Sequence, residues 1–223
     1  MSKDLRTCDS SALYEIASRL YANHSVKTRL RQYLRLSVCP FDRIVSAVPI
    51  GSRVLDIGCG TGLLLGLLID LGRASSAVGF DVNPEVIQRA QQMAEVNGFG
   101  GSVMFTNRSI DCAWPTAGGL FDVVTMIDVM HHLPPALQRG VFMRAATVLR
   151  PGGVMIYKDM ARKPTWMALA NRLHDLVSYT DWIHYADIED NIQYARESGL
   201  VERQIETFSR VWYRHEMMVL IRK

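Results

Sequence analysis

The chain is poor in cysteine and nearly balanced in charge, and both shortages narrow what it can be. Its four cysteines in 223 residues, Cys8, Cys39, Cys59 and Cys112, are scattered, with no Cys-x-x-Cys pair and no His-rich tract. That spacing suggests no metal site and reads as reduced thiols in a cytoplasmic protein. The formal net charge is only +3, far below the concentrated basic charge that nucleic-acid binding leaves in a composition. No apolar region follows the charged start MSKDLRTCDSSALYEI, so no signal peptide is expected. The longest apolar run, LLLGLLI, is too short to span a bilayer and ends at Asp70. The expectation is a soluble chain, 48% apolar, with length enough for one sizeable core.

What the sequence does have is an alternation of strand-like and helix-like segments, flanked by material outside that rhythm. Residues 10 to 22 and 25 to 38 read as helices, with Leu30, Leu34 and Val38 on one face and Lys27, Arg31 and Arg35 on another. The basic stripe is either a solvated face or a docking surface for an acidic partner or a phosphate-bearing substrate. RVLDIG reads as a buried strand, followed by a helix from Thr61 to Leu71 and a strand AVGFD ending at Asp81. Asn83-Pro84 then opens a helix whose apolar face is Val86, Ile87, Ala90, Met93 and Ala94, and Asn97-Gly98 stops it. SVMFTN and FDVVTMI are the next strands. A helix from Pro134 to Leu149 follows, then a Pro-Gly-Gly turn at Pro151 to Gly153 and a fifth strand, VMIYKD.

After Asp159 a longer segment, with a helix from Pro164 to Ser178, concentrates Trp166, Tyr179, Trp182, His184 and Tyr185 where a lid belongs. A helix from Ile188 to Ser198 leads into two strand-like runs joined too closely for a parallel crossover, so they should pair antiparallel. The expected fold is α/β: a doubly wound, mostly parallel seven-stranded sheet with an antiparallel last strand and ligands beyond the strands' carboxyl ends. Residues 1–50 would be a helical N-terminal cap, and residues 51–223 the Rossmann-like core with a lid insertion at about 160–187.

VLDIGCGTG, Val54 to Gly62, carries the chemistry: an aspartate, then Gly58, Gly60 and Gly62 on alternate positions. A dinucleotide site needs G-x-G-x-x-G, and here the third glycine comes one residue early. Asp56 would also sit beside the diphosphate, where repulsion in a partly desolvated site costs on the order of kilocalories per mole. A glycine loop that admits a nucleoside and an amino-acid tail, with a carboxylate at its base, suits a cationic, phosphate-free ligand. S-Adenosylmethionine fits that description.

Together VLDIGCGTG, GFD at Asp81, FDVVTMIDVMHHL and LRPGGVMIYKD resemble the class I S-adenosylmethionine-dependent methyltransferases over residues 51 to 160. The resemblance implies cofactor contacts from Gly58, Cys59, Gly60 and Gly62, with Asp56 holding the amino end through the loop or water. It places Asp81 on both ribose hydroxyls, Val82 on the adenine, and the Asp128 carbonyl on the ammonium. His131-His132 match a common His-His-Leu pattern of the small-molecule branch. The chain departs from the pattern at NRSIDCAWP, where the family has Gly-Asp. Either Asp111 meets the adenine amino group, or Ser109 and Ile110 supply backbone contacts; the preferred reading is the Ile110 backbone with Asp111 nearby.

The implied reaction is direct in-line displacement at the sulfonium methyl, in which proximity and alignment supply much of the rate. A base is needed only if the nucleophile must lose a proton. Candidates, unranked, are His132, Lys158, Asp159 and His174. The aromatic lid suits a small, apolar or aromatic acceptor, O-methylated by preference, and its sequence loosely resembles lids from bacterial lipid and specialised-metabolite pathways. If the basic stripe is functional, the acceptor arrives on an acidic carrier protein. No metal and no nucleic-acid partner are expected. The rival readings are a nicotinamide-dependent oxidoreductase and a non-catalytic partner subunit with the same fold.

Overall fold

The computed structural model describes residues 9–116, 118–161, 187–211 and 213–223. Three helices precede the sheet: α1 (Ser10–Leu20), α2 (Val26–Val38) and α3 (Phe41–Ala47). The alternation then runs β1 (Ser52–Ile57), α4 (Leu63–Asp70), β2 (Ala74–Asp81), α5 (Pro84–Val96), β3 (Val103–Asn107) and β4 (Phe121–Ile127). After a 3-10 turn at Met130–His132 come α6 (Pro135–Val148), β5 (Leu149–Met160), α7 (Ile188–Glu197), β6 (Leu200–Arg210) and β7 (Tyr213–Arg222). The expected lid helix and its aromatics lie outside the described residues.

The seven strands are ordered β3-β2-β1-β4-β5-β7-β6. β1 to β5 pair in parallel, and β7 is antiparallel to both β5 and β6. The expected mixed sheet is therefore the observed one. Strand order reverses between β1 and β4, and the cleft beyond their carboxyl ends is where such sheets bind ligands.

Strand alternation divides the core in two. Val54, Ile156 and Val219 join α1, α3, α4 and α5 on one face, while Leu55, Tyr157 and Leu220 join α6 and α7 on the other. The N-terminal helices thus share a core with the sheet: Leu13, Leu20, Phe41 and Ile44 are buried in the same cluster as Leu65 and Met93. At α5 the Asn83 side chain accepts the Glu85 N–H and Pro84 occupies the first turn, as the sequence indicates.

Two expectations need correction. Leu30 and Leu34 do not face the core; they are 58% and 57% exposed, and α2 buries Thr28, Gln32 and Leu36 instead. The inner face of α2 is mixed: Leu36 joins the core cluster, while Gln32 and Arg35 line a small cavity under the glycine loop. Pro151-Gly-Gly is not a turn ahead of β5 either. It lies within the strand as a register irregularity opposite Phe121 to Val123, with Gly152 at φ +75° making the bulge.

Candidate active site

The glycine loop leaves β1 at the switch point and is fixed from three sides. The Gly58 and Cys59 N–H groups donate to the Phe80 carbonyl on β2, at 2.9 and 3.1 Å. Just after α1, the buried Tyr21 hydroxyl donates to the Thr61 carbonyl at 2.8 Å. The Cys59 side chain turns inward over Gly79, where a Cβ would stand 2.9 Å from its sulfur. At Gly60 the chain has φ +54°, and a Cβ there would meet nothing nearer than Arg35 Nη1 at 3.9 Å. At Gly60 the bare backbone therefore borders open space, a cradle that a methyl group would begin to fill, whereas Gly58 and Gly62 pack against Val129 and Phe105.

Gln32, Arg35, Asp56, Gly58 and Thr61 line a small cavity against this loop. Asp56 is buried, and its Oδ1 accepts the Thr125 hydroxyl at 2.6 Å. Burial pushes its pKa up to about 7, against the opposing pull of the Thr125 hydrogen bond and the Arg35 charge. The cavity thus offers a guanidinium and a carboxyl group, complementary to a zwitterionic amino-acid tail. Arg35 is the member that sequence reasoning grouped wrongly with Lys27 and Arg31. Its signal was present, because residues eight apart drift by about 80° around a helix of 3.6 residues per turn. Arg35 therefore turns toward the inner face, while Lys27 is exposed.

Asp81 ties the loop to the nucleoside side of the cleft. Its Oδ2 accepts the Gly60 N–H and its Oδ1 the Asn83 N–H, both at 2.9 Å. Each oxygen retains a lone pair that can accept a hydroxyl donor. Val82 beside it is 68% exposed, an apolar surface facing solvent. Asn107 Nδ2 holds the Asp81 and Val82 carbonyls at 3.0 and 2.9 Å, bringing the 107–111 segment against this turn. The Ile110 carbonyl already accepts from Trp114 Nε1 at 2.9 Å and from Arg144. Asp111 is exposed, and its hydrogen bond with the Ser109 side chain lowers its pKa.

Two charge pairs lie at the tips of β4 and β5; Lys158, His131 and Asp159 are buried and Asp128 is half-buried. Lys158 Nζ donates to Asp128 Oδ1 at 2.5 Å, and Asp128 ends β4 in the left-handed region at φ +57°. Burial alone would discharge both groups. Their mutual attraction outweighs it, holding Asp128 down at about 2 and raising the Lys158 pKa. On the other face, His131 Nδ1 meets Asp159 Oδ1 at 2.5 Å and the His131 N–H donates to Asp159 Oδ2 at 3.2 Å. Both residues are buried; burial works against the imidazolium, but the Asp159 charge and hydrogen bond raise the His131 pKa overall. The His132 ring packs on His131 with centroids 4.1 Å apart and is exposed. His174 lies outside the described residues. Sequence reasoning placed Asp159 and Lys158 near the acceptor but missed that each has its own partner.

Residues 54–153 match a family described as a methyltransferase domain. That match runs from β1 into β5, 100 of the 223 residues, and gives this segment the description of a methyltransferase domain. Ubiquinone biosynthesis O-methyltransferases of Xanthomonas axonopodis pv. citri and Xanthomonas campestris pv. campestris are 32% and 33% identical to it over 122 residues, 55% and 54% of this chain. Those matches span 48% of each relative, so the chain covers about half the length of the curated relatives it matches. Solved structures share the fold beyond that segment. Magnesium protoporphyrin IX methyltransferase from Synechocystis PCC 6803, solved with bound SAH, superposes with a TM-score of 0.67 at 19% identity, covering 96% of this chain and 95% of its own. The [4+2]-cyclase SpnF also superposes, with a TM-score of 0.64 at 15% identity over 81% of this chain and 80% of its own. The domain's fold alone therefore does not fix its chemistry, and the site must carry the functional reading.

Proposed function

We propose that this chain transfers the methyl group of S-adenosylmethionine to an oxygen atom of a small-molecule acceptor. The observation that carries the reading is the coupling of Gly60 to Asp81. One hydrogen bond joins the bare glycine loop to a carboxylate that can still accept hydroxyl donors. S-Adenosylmethionine would supply an electrophilic methyl on a sulfonium whose departure needs no protonation. Arg35 would hold its carboxylate end, and Asp56 with the Asp128 carbonyl its ammonium. Asp81 would take the ribose hydroxyls, and Val82 and the Ile110 side chain would flank the adenine. The nicotinamide alternative fits less well, because Asp56 lies in the cavity where a diphosphate would need positive or neutral surroundings.

For the acceptor, His131 would act as the base, with Asp159 fixing its tautomer and raising its basicity. Lys158 stays protonated and holds Asp128, and through it the end of β4. The named relatives are O-methyltransferases, and a phenol or alcohol acceptor is the case in which such a base is required. Delivery of that acceptor on a carrier protein is the finer form of the proposal. The test is isothermal titration with S-adenosylmethionine and S-adenosylhomocysteine against wild type and Asp81→Ala, followed by turnover with phenolic, hydroxyacyl and carrier-bound acceptors. Micromolar binding weakened by the substitution supports the proposal; a folded protein that binds neither compound overturns it.

A further inference from the structure

The outer face of α2 carries an exposed apolar stripe. Val26, Leu30, Tyr33 and Leu34 are 78%, 58%, 52% and 57% exposed, although they recur at helical spacing and form one stripe. The helix contains four cations and no acidic residue in VKTRLRQYLRLSV. At about 100° per residue, Lys27 falls on one flank of the stripe and Arg29 on the other, while the opposite side is buried. Leu30, Val26 and Arg29 also border a shallow groove against Ala17 and Ser18 of α1. A ridge with an apolar crest and cations on both flanks matches a headgroup layer: the crest reaches the acyl boundary and the flanking cations meet phosphates.

We propose that α2 docks this protein on an anionic lipid surface. A planar anionic layer satisfies both basic flanks at once, whereas an acidic protein would have to present charge on two sides of an apolar furrow. The same helix carries Gln32 and Arg35 on its inner face, lining the cavity of the glycine loop. Docking would therefore set the membrane directly over the helix that roofs the cofactor side of the site. The inference stands on the α2 surface and does not depend on which reaction the site performs.

Vesicle co-sedimentation of the full chain tests it, comparing phosphatidylcholine vesicles with mixed phosphatidylcholine and phosphatidylglycerol vesicles. We expect salt-sensitive binding to the mixed vesicles, at least about fivefold above neutral ones. Lys27→Glu with Arg29→Glu, and separately Leu30→Gln with Leu34→Gln, should each lower that binding by about tenfold. These side chains are exposed, so the thermal midpoint of both variants should stay near wild type. Equal partition to both vesicle types, or wild-type binding by either folded double variant, overturns the proposal. So does absence of vesicle binding by a wild-type protein that instead retains an acidic protein through Lys27 and Arg29.

Discussion

Gly60→Ala separates the loop's structural cost from its ligand function. The residue has φ +54°, and the new Cβ would meet no atom closer than 3.9 Å. The cost is then that of a left-handed alanine, about 1 kcal/mol. For a chain of this size that lowers the thermal midpoint by about 2–4 °C. Gly62→Ala is the control. Its φ is +82°, and a Cβ would stand 2.7 Å from Phe105 Cζ and 3.1 Å from Met93 Cε. Overpacking adds about 1–3 kcal/mol to the backbone strain, for a total of about 2–4 kcal/mol. Calorimetry should therefore rank Gly62→Ala well below Gly60→Ala in stability. Titration with S-adenosylmethionine should rank their effects on affinity the other way. The Gly60 methyl would stand 3.9 Å from Arg35 Nη1, whose side chain belongs to the cavity lining, and should weaken binding at least about tenfold, as a lost close contact does in a packed site. Gly60→Ala that binds within about twofold of wild type, a shift well under 1 kcal/mol, would refute the placement of the ligand.

Three further outcomes follow from the charged groups. Asp56 has a pKa of about 7 in the free protein, and a bound cation favours its ionised form. Cofactor affinity should fall as pH drops below about 7 with proton release on binding, read by titration in buffers of different ionisation enthalpy; Asp56→Asn should flatten the profile. His131 has a pKa above 6.5, set by burial opposed by Asp159 and Asp128, with the Lys158 charge working the other way. Across the strand pair Glu216 lies opposite Asp159, and burial with Asp159, Glu189 and Asp187 nearby pushes Glu216 up to about 7. A neutral base is required, so kcat should rise with pH through an acid limb above 6.5. Asp159→Asn should move that limb to lower pH and cost about 100-fold in kcat; an unmoved limb would exclude His131 as the base. Lys158→Met leaves Asp128 without its buried partner and should cost about 3 kcal/mol in urea denaturation, and a loss under about 1 kcal/mol would show the pair to be unimportant.

What was legible in the sequence was local. The glycine spacing, the strand-end Asp81 and the Asn83-Pro84 helix start each need only neighbours in the chain, and each is found in the expected element. The antiparallel end of the sheet was legible because a two-residue connection between β6 and β7 permits no other pairing. Leu30 and Leu34 misled because periodicity gives the direction of an apolar face but not its partner. Here α2 meets the core through Leu36 and the cavity through Gln32 and Arg35, on the side away from Leu30 and Leu34. Arg35 as a site member, and His131 as anything beyond part of the His-His-Leu resemblance, were illegible for the same reason: Arg35 shares a cavity with Asp56, and His131 bonds Asp159, both far away in sequence.

The β5 tip shows how little sequence can specify two tasks. Lys158 and Asp159 are adjacent, so strand alternation sends one side chain to each face of the sheet. Their most obvious partner in the sequence is each other, yet neither takes that option. Lys158 reaches Asp128 on the side of the N-terminal helices, and Asp159 reaches His131 on the side of α6 and α7. The backbone of β5 enforces this separation: Lys158 pairs with Ile127 of β4 and Met217 of β7, leaving its side chain no rotation toward Asp159. A single dipeptide thereby holds the end of β4 with one charge and orients an imidazole with the other. Inverting the pair, Lys158→Asp with Asp159→Lys, would keep composition and net charge but place like charges together. The introduced carboxylate would face Asp128 and the introduced ammonium would face His131, so the swap should be less stable than either single charge-neutral variant. A swap that melts with the wild type would mean the two pairs contribute nothing, and the division of labour at this strand end would fall with them.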